Sequence, residues 1–427
     1  MNYTPKILYI SSANFSEGPG AIGWLHVKSL QEAGFDVDVL TLYRQPEHLD
    51  FIYLKRNKTF FDRFVQKVKN IFRLRRPEAP YMFFYKKETK PPVSVKKVLS
   101  KIKKPYDLIM VYFWQDLLSF YTVESIFEKL NKPVVFFLSP DYSHMSGGRH
   151  FTADCQRYKI GCGHCPAWKS RCNKDFTHWN VMYRKRFYDK VKPVVFGNSY
   201  MISFYKSSFL LKDARIEKSV PMLDTDLFSP IERVSLLKKY DIPSNIRFII
   251  GFGCQQLNNP RKGINYLIEA LNILRNSLSE SVANEILIIS VGDFYETIKP
   301  KIPFLSLGLG VIPVSKLSEF YSLVDIFVCP SVDDAGPSMV LQSISCGTPV
   351  VGFEMGALLD HVKDQNTGYC ARLKDSMDLA NGIRYYYEMT DAERYVISKR
   401  CRENVLRQYS FSKKIQNWMD VYKKYAF

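Results

Sequence analysis

Three loops carry residues suited to holding an anion. In the first, Ser11–Trp24, Gly18 and Gly20 flank Pro19 just ahead of an apolar-periodic stretch. Glycine lets a backbone approach a ligand closely, and the amino end of a helix offers N–H groups to an anion. A plain turn before a helix would read the same way. In the second loop, CQQLNNPRKGINYL, Arg261 and Lys262 stand immediately before a helix expected over Gly263–Leu274. A cation is disfavoured beside the positive end of a helix dipole. A bound phosphate would relieve that conflict; a solvated pair of charges is the alternative. In the third, Pro330–Val351, Asp334 and Gln342 lie on either side of Gly336-Pro337-Ser338. That spacing predicts a carboxylate at a strand exit and an amide two turns into the following helix. The N–H groups of Ser338 and Met339 open that helix and can hold an anion. Read as sites, all three loops would hold an anion by charge and by backbone N–H groups.

A fourth cluster is made of thiols. Cys155, Cys162, Cys165 and Cys172 fall within 18 residues as C-x6-C-x2-C-x6-C. This has the ligand count and the central C-x2-C of a structural zinc site. Four free thiols or two disulfides are the alternatives. The other five cysteines stand singly and read as buried or partly buried thiols. Met1–Ser11 lacks the apolar region and cleavage site of a signal peptide, so a cytosolic chain without disulfides is expected.

The elements that must position these loops alternate. KILYIS, DVDVLTL, DLIMVYF, PVVFFL and PVVFGNS in the first half are short apolar runs separated by helical stretches. The pattern restarts with RFIIGFG, EILIISVG, DIFVCP and PVVGF, and the chain closes on an aromatic-rich helix, Phe411–Tyr425. Short apolar strands alternating with helices predict parallel sheets covered on both faces. The fold class is therefore α/β, with two doubly wound, Rossmann-like halves joined near Asp224–Ser244. Ligands of such sheets bind at the carboxyl ends of the strands, so the cleft between the halves is the expected site.

The charge is local. Of the net +18 in 427 residues, the segment from Phe51 to Lys104 carries +14, from 17 Lys/Arg and 3 Asp/Glu. Within it, Phe60, Phe61, Phe64, Val65, Val68, Ile71 and Phe72 form one helical stripe, with Arg63, Lys67, Lys69, Arg73, Arg75 and Arg76 around it. An aromatic face with a cationic rim is the pattern of an interfacial helix on anionic lipid. An amphipathic helix packed on its own domain is the alternative. No nucleic-acid partner is expected, because no base-reading or stacking module is recognisable.

The segment PSVDDAGPSMVLQSISCGTPVV resembles the donor-binding signature of glycosyltransferase family 4, retaining enzymes of the GT-B fold. The signature's two glutamates fall on Asp334 and Gln342, and NPRKGINYLIEAL puts the diphosphate-binding lysine on Lys262. SVPMLDTDLFSP and MGALLDHVKDQNTGYCA resemble the family's interdomain and downstream motifs. Two departures stand out. An amide binds a ribose hydroxyl more weakly than a carboxylate does. Asp334 is one methylene shorter than glutamate, and Asp333 beside it could substitute. LSPDYSHMSGGRHFTADCQRYKIGCGHCP resembles the acceptor-side loop of one branch of the family, with Asp141, Gly147, Gly148, His150, Cys155, Tyr158, Cys162 and Cys165 in register. Asp141 and His150 are thus implied to contact the transferred sugar or the acceptor hydroxyl; a loop-folding role is the alternative. That branch has its first cysteine where Arg149 stands, so Cys172 or His150 would complete a zinc site.

The resemblance implies an acceptor domain over 1–224, with the basic insertion 51–104 and a Cys-rich loop 141–175. A nucleotide-sugar donor domain follows over 225–408, and a helix at 409–427 returns to the first domain. It implies retaining transfer of a hexosyl group from a nucleotide-diphosphate sugar to a glycan or lipid-linked acceptor in surface polysaccharide synthesis. The enzyme would be cytoplasmic, peripheral on the inner face of the membrane, and would need no catalytic cofactor. Asp224-Thr225-Asp226 has the letters of a metal site but reads as turn residues. A sugar-nucleotide epimerase or hydrolase of the same fold, a nucleotide-binding oxidoreductase, and a non-enzymatic membrane- or nucleic-acid-binding protein are the competing readings.

Overall fold

The computed structural model describes residues 4–15, 18–43, 51–55, 87–138, 141–362 and 366–426, with the backbone alone for Gly18 and Pro19. The stripe Phe60–Phe72 lies outside the described residues. The chain forms two units. The first comprises 1–197, 201–222 and 412–427; the second comprises 198–200 and 223–411.

The first unit holds a seven-stranded sheet. Its strands are β1 (Ile7–Ser11), β2 (Val37–Thr41), β3 (Phe51–Tyr53), β4 (Leu108–Phe113), β5 (Val134–Leu138), β6 (Val194–Gly197) and β7 (Arg215–Lys218). They lie in the order β3-β2-β1-β4-β5-β6-β7. All neighbours are parallel. Residues of β1, β2, β4 and β5 are buried almost throughout, as expected of a sheet covered on both faces.

The second unit holds six parallel strands: β8 (Phe248–Gln256), β9 (Ile286–Asp293), β10 (Leu305–Gly308), β11 (Ile326–Cys329), β12 (Val350–Phe353) and β13 (Gly368–Ala371). Their order is β10-β9-β8-β11-β12-β13. The four strands that the apolar runs do not announce, β3, β7, β10 and β13, are the four sheet edges. Their residues are largely half-exposed, so they never form the continuous apolar run of a central strand.

The last helix, Phe411–Ala426, belongs from Ser412 onward to the first unit. Trp418 is fully buried there, edge-on to His26 at 5.0 Å. Lys414 is buried over the Trp418 ring, and its Nζ donates to Ser219 Oγ at 2.7 Å. Glu217 of β7 pairs with Lys424 at 2.7 Å and accepts from the Tyr425 hydroxyl at 2.8 Å. Among the described residues no helix is long and apolar enough to cross a membrane.

Candidate functional site

In the second unit the carboxyl end of the sheet brings Lys262 and Asp334 together. Gly263 makes this possible. Its φ is +70°, and a β-carbon there would lie 1.7 Å from the Pro330 carbonyl oxygen. Only glycine lets the helix Ile264–Asn276 start hard against the exit of β11. The two loops are then stitched together. Val332 N–H donates to Arg261 O at 2.8 Å, and the Arg261 guanidinium donates to Asp333 O at 2.9 Å. Lys262 Nζ donates to Asp334 Oδ2, whose other oxygen accepts from Gly336 N at 3.2 Å.

Burial opposes both charges, yet each holds the other ionised. Asp334 is pushed up by burial but held below the usual carboxylate range by Lys262, Arg261 and the Gly336 N–H. Lys262 is pushed down by burial but held above its ordinary value by Asp334. Asp333, the alternative acid, has its carbonyl oxygen engaged by Arg261.

The helix Ser338–Ser345 opens beside this pair. Pro337 is its N-cap, and no side chain caps it. Ser338 is exposed and Met339 half-buried, so their N–H groups start the helix at the surface. The helix starts at Ser338, so Gln342 lies one turn into it and not the two expected, and it accepts from the Tyr321 hydroxyl at 3.0 Å. Its side-chain carbonyl oxygen is therefore engaged.

In the first unit Gly18 opens the helix Gly18–Glu32, and Gly20 lies inside it. A β-carbon on Gly20 would sit 1.7 Å from the Asn14 carbonyl oxygen, which accounts for the glycine by close packing of loop on helix.

Asp141 and His150 meet in the loop after β5. His150 Nδ1 and Asp141 Oδ2 are 2.5 Å apart, and Asp141 Oδ1 accepts from Ser143 N at 2.8 Å. Burial raises the Asp141 carboxyl, but His150 and Ser143 outweigh it and hold it below the usual range. The loop is gripped from behind by two residues that carry no signal in the sequence. Arg184, fully buried on the helix Phe176–Val191, bonds Glu88 at 2.5 Å and Ser143 O at 2.6 Å, and also reaches Ser146 O. Asn180, one turn earlier, donates to Gly147 O at 3.0 Å.

Of the four clustered thiols, Cys155, Cys162 and Cys165 line one small cavity with Arg149 and Arg157. Cys172 is exposed and is not part of that lining. His150, the other expected fourth ligand, is engaged by Asp141. Burial pushes the Cys162 thiol up to about 12. Among the described residues no group of three or more His, Cys, Asp or Glu is arranged to hold a metal ion.

Residues 257–404, which span the Lys262–Asp334 pair, match the family model described as Glycosyl transferases group 1. This part of the second unit is similar to the glycosyl transferases of group 1. The chain is 26% identical to the D-inositol 3-phosphate glycosyltransferase of Geodermatophilus obscurus, across 176 residues that cover 38% of each chain. It is 25% identical to the alpha-galactosylglucosyldiacylglycerol synthase of Streptococcus pneumoniae across 134 residues, covering 31% of this chain and 34% of that one. The matched stretch is thus well under half the length of these curated relatives. Solved structures resemble the whole chain in fold. Sucrose-phosphate synthase from Thermosynechococcus elongatus superposes with a TM-score of 0.67 at 17% identity, over 98% of both chains. Anabaena HepE in complex with UDP and glucose superposes with a TM-score of 0.62 at 13% identity, over 98% of this chain and 100% of that one. The fold is GT-B, and the match to group 1 with these relatives supports an enzyme of the glycosyltransferase type.

Proposed function

We propose that this chain is a retaining glycosyltransferase of family 4 that moves a hexosyl group from a nucleoside-diphosphate sugar to a glycan or lipid-linked acceptor of a surface polysaccharide. The observation that carries the reading is the Lys262–Asp334 pair beside the uncapped start of the helix Ser338–Ser345. When the sugar leaves, negative charge grows on the diphosphate. Lys262 and the N–H groups of Ser338 and Met339 are preorganised to receive it, in a partly buried setting where such charges act strongly. Asp334 holds the lysine in place before the donor arrives and stands ready for hydroxyls of the sugar. The Gln342 NH2 donates to a ribose hydroxyl. In the first unit, Asp141 fixes the His150 ring through Nδ1, and Nε2 is the nitrogen we assign to the acceptor.

Lys262→Ala tests this. Transfer from whichever of UDP-, GDP- or ADP-sugars the protein uses should fall by at least about 100-fold, as when a preorganised group facing developing charge is removed. Turnover within a few-fold of wild type would sink the reading. The anomer formed, read by NMR of the product, tests retention.

The basic segment 51–104 supports a peripheral position on an anionic membrane, on the inner face of the cell. Wild-type protein should co-sediment with anionic vesicles, more weakly at high salt. Phe60, Phe64 and Phe72 changed together to Ser should abolish the salt-resistant part. A wild type that stays in the supernatant at low salt would remove the membrane from this proposal.

A further inference from the structure

We infer that Phe294 is the platform on which the heterocyclic base of the donor stacks, an inference that rests on the donor reading above. Phe294 follows the last residue of β9 with φ +71° and ψ +23°. A β-carbon disfavours that left-handed conformation, which glycine would adopt freely. The ring is also 46% exposed, and among the described residues no other ring packs on it. The left-handed backbone therefore carries a half-exposed ring that makes no ring–ring contact among the described residues.

The neighbours explain how the conformation is held and not why a phenylalanine is there. Thr297 N and Oγ1 both donate to Phe294 O, at 3.1 and 2.7 Å. Tyr295 turns to β10 instead: its hydroxyl meets Ser306 Oγ at 2.9 Å, and a β-carbon on Gly308 would fall 2.3 Å from its ring. Of two adjacent rings, one packs against its own sheet and the other is left out. A residue kept in a costly conformation at a strand end points to function.

The place is right for a nucleotide. The loops after β8, β9 and β10 are joined at this point. Leu257 N donates to Asp293 O at 3.0 Å, Gly292 N donates to Gly310 O at 2.8 Å, and a β-carbon on Gly292 would meet Cys254 O at 1.9 Å. Cys254, whose thiol is raised by burial, also feels the charges of Lys262 and Asp334. In the strand order β10-β9-β8-β11, Asp334 follows β11, Lys262 follows β8 and Phe294 follows β9. A ligand lying across these carboxyl ends with its phosphates at Lys262 would carry its far end to Phe294. Every base offers a π face, and an aromatic side chain stacks on it with little regard to which base it is.

Calorimetric titration of the full chain with UDP, GDP, ADP and inorganic pyrophosphate tests the platform. Phe294→Ala should weaken the preferred nucleoside diphosphate about 5- to 100-fold, the range that loss of one base–aromatic stack corresponds to. Pyrophosphate binding should be unchanged. Phe294→Trp should keep nucleotide affinity, whereas Phe294→Gly should lose it while melting no lower than wild type, since glycine suits the backbone. Nucleotide binding by Phe294→Ala equal to wild type would overturn the inference. So would an equal loss for pyrophosphate, because the ring would then act on the loop. A wild type that binds neither nucleotide nor pyrophosphate would overturn the donor reading itself, and the platform with it.

Discussion

Lys262→Ala leaves the buried Asp334 carboxylate without its closest cation. Breaking a fully buried pair typically costs about 3–5 kcal/mol. Here the side chains of Lys262 and Asp334 are 25% and 12% exposed and Arg261 is near, so about 1–3 kcal/mol is expected. The cost has a pH signature that separates it from lost catalysis. A carboxyl held below its unfolded value contributes stability above that value and loses it as pH falls through the folded one. Melts of Lys262→Ala and wild type should therefore differ at pH 7 and converge below about pH 4. A gap that stays constant to pH 3 would mean that the lysine acts on the fold by some route other than Asp334.

The loop after β5 and the edges of the sheets were the least legible elements. Asp141 and His150 were readable as a pair because a motif spans them, but the clamp behind them was not. Glu88 and Arg184 stand 96 residues apart, and neither lies in a pattern of its own. Buried charges of this kind are made by tertiary contact alone. Arg184 also rests over the Phe120 ring at 4.6 Å, and Glu88 accepts from Phe120 N at 3.0 Å, so the pair ties two helices and a loop to one point. Arg184→Met should cost about 3–5 kcal/mol in urea unfolding, because it strands Glu88. Adding Glu88→Leu should recover part of that loss. A single variant as stable as wild type would show that the clamp holds nothing. The central strands, by contrast, announced themselves as continuous apolar runs, and the helix Ile264–Asn276 was legible from its periodicity and the glycine before it.

For the molecule as a whole, the two-unit α/β plan follows from the restart of the strand pattern near Arg247. What the sequence leaves unsaid is the role of Lys414. Burial pushes its ammonium down to about 7, against 10.5 for an ordinary lysine. Between those values the unfolded chain binds more protons than the folded one, so stability should rise with pH. The slope is at most about 1.4 kcal/mol per pH unit, with the full gain reached above pH 10.5 and none below pH 7. Lys414→Met should flatten this rise and raise the melting temperature most at or below pH 7. Unchanged pH dependence in that variant would show the lysine to be hydrated in solution.

The same helix bears on the order in which the chain takes shape as it is made. Translation delivers the amino-terminal part first, and domains generally fold as they emerge. Here the first unit draws its final layer from Ser412–Phe427, whereas the second is almost wholly one contiguous stretch, Leu223–Phe411. The half that leaves the ribosome earlier must therefore wait for Ser412–Phe427 before Trp418 can fill its place against His26. The half that leaves later is free to finish first.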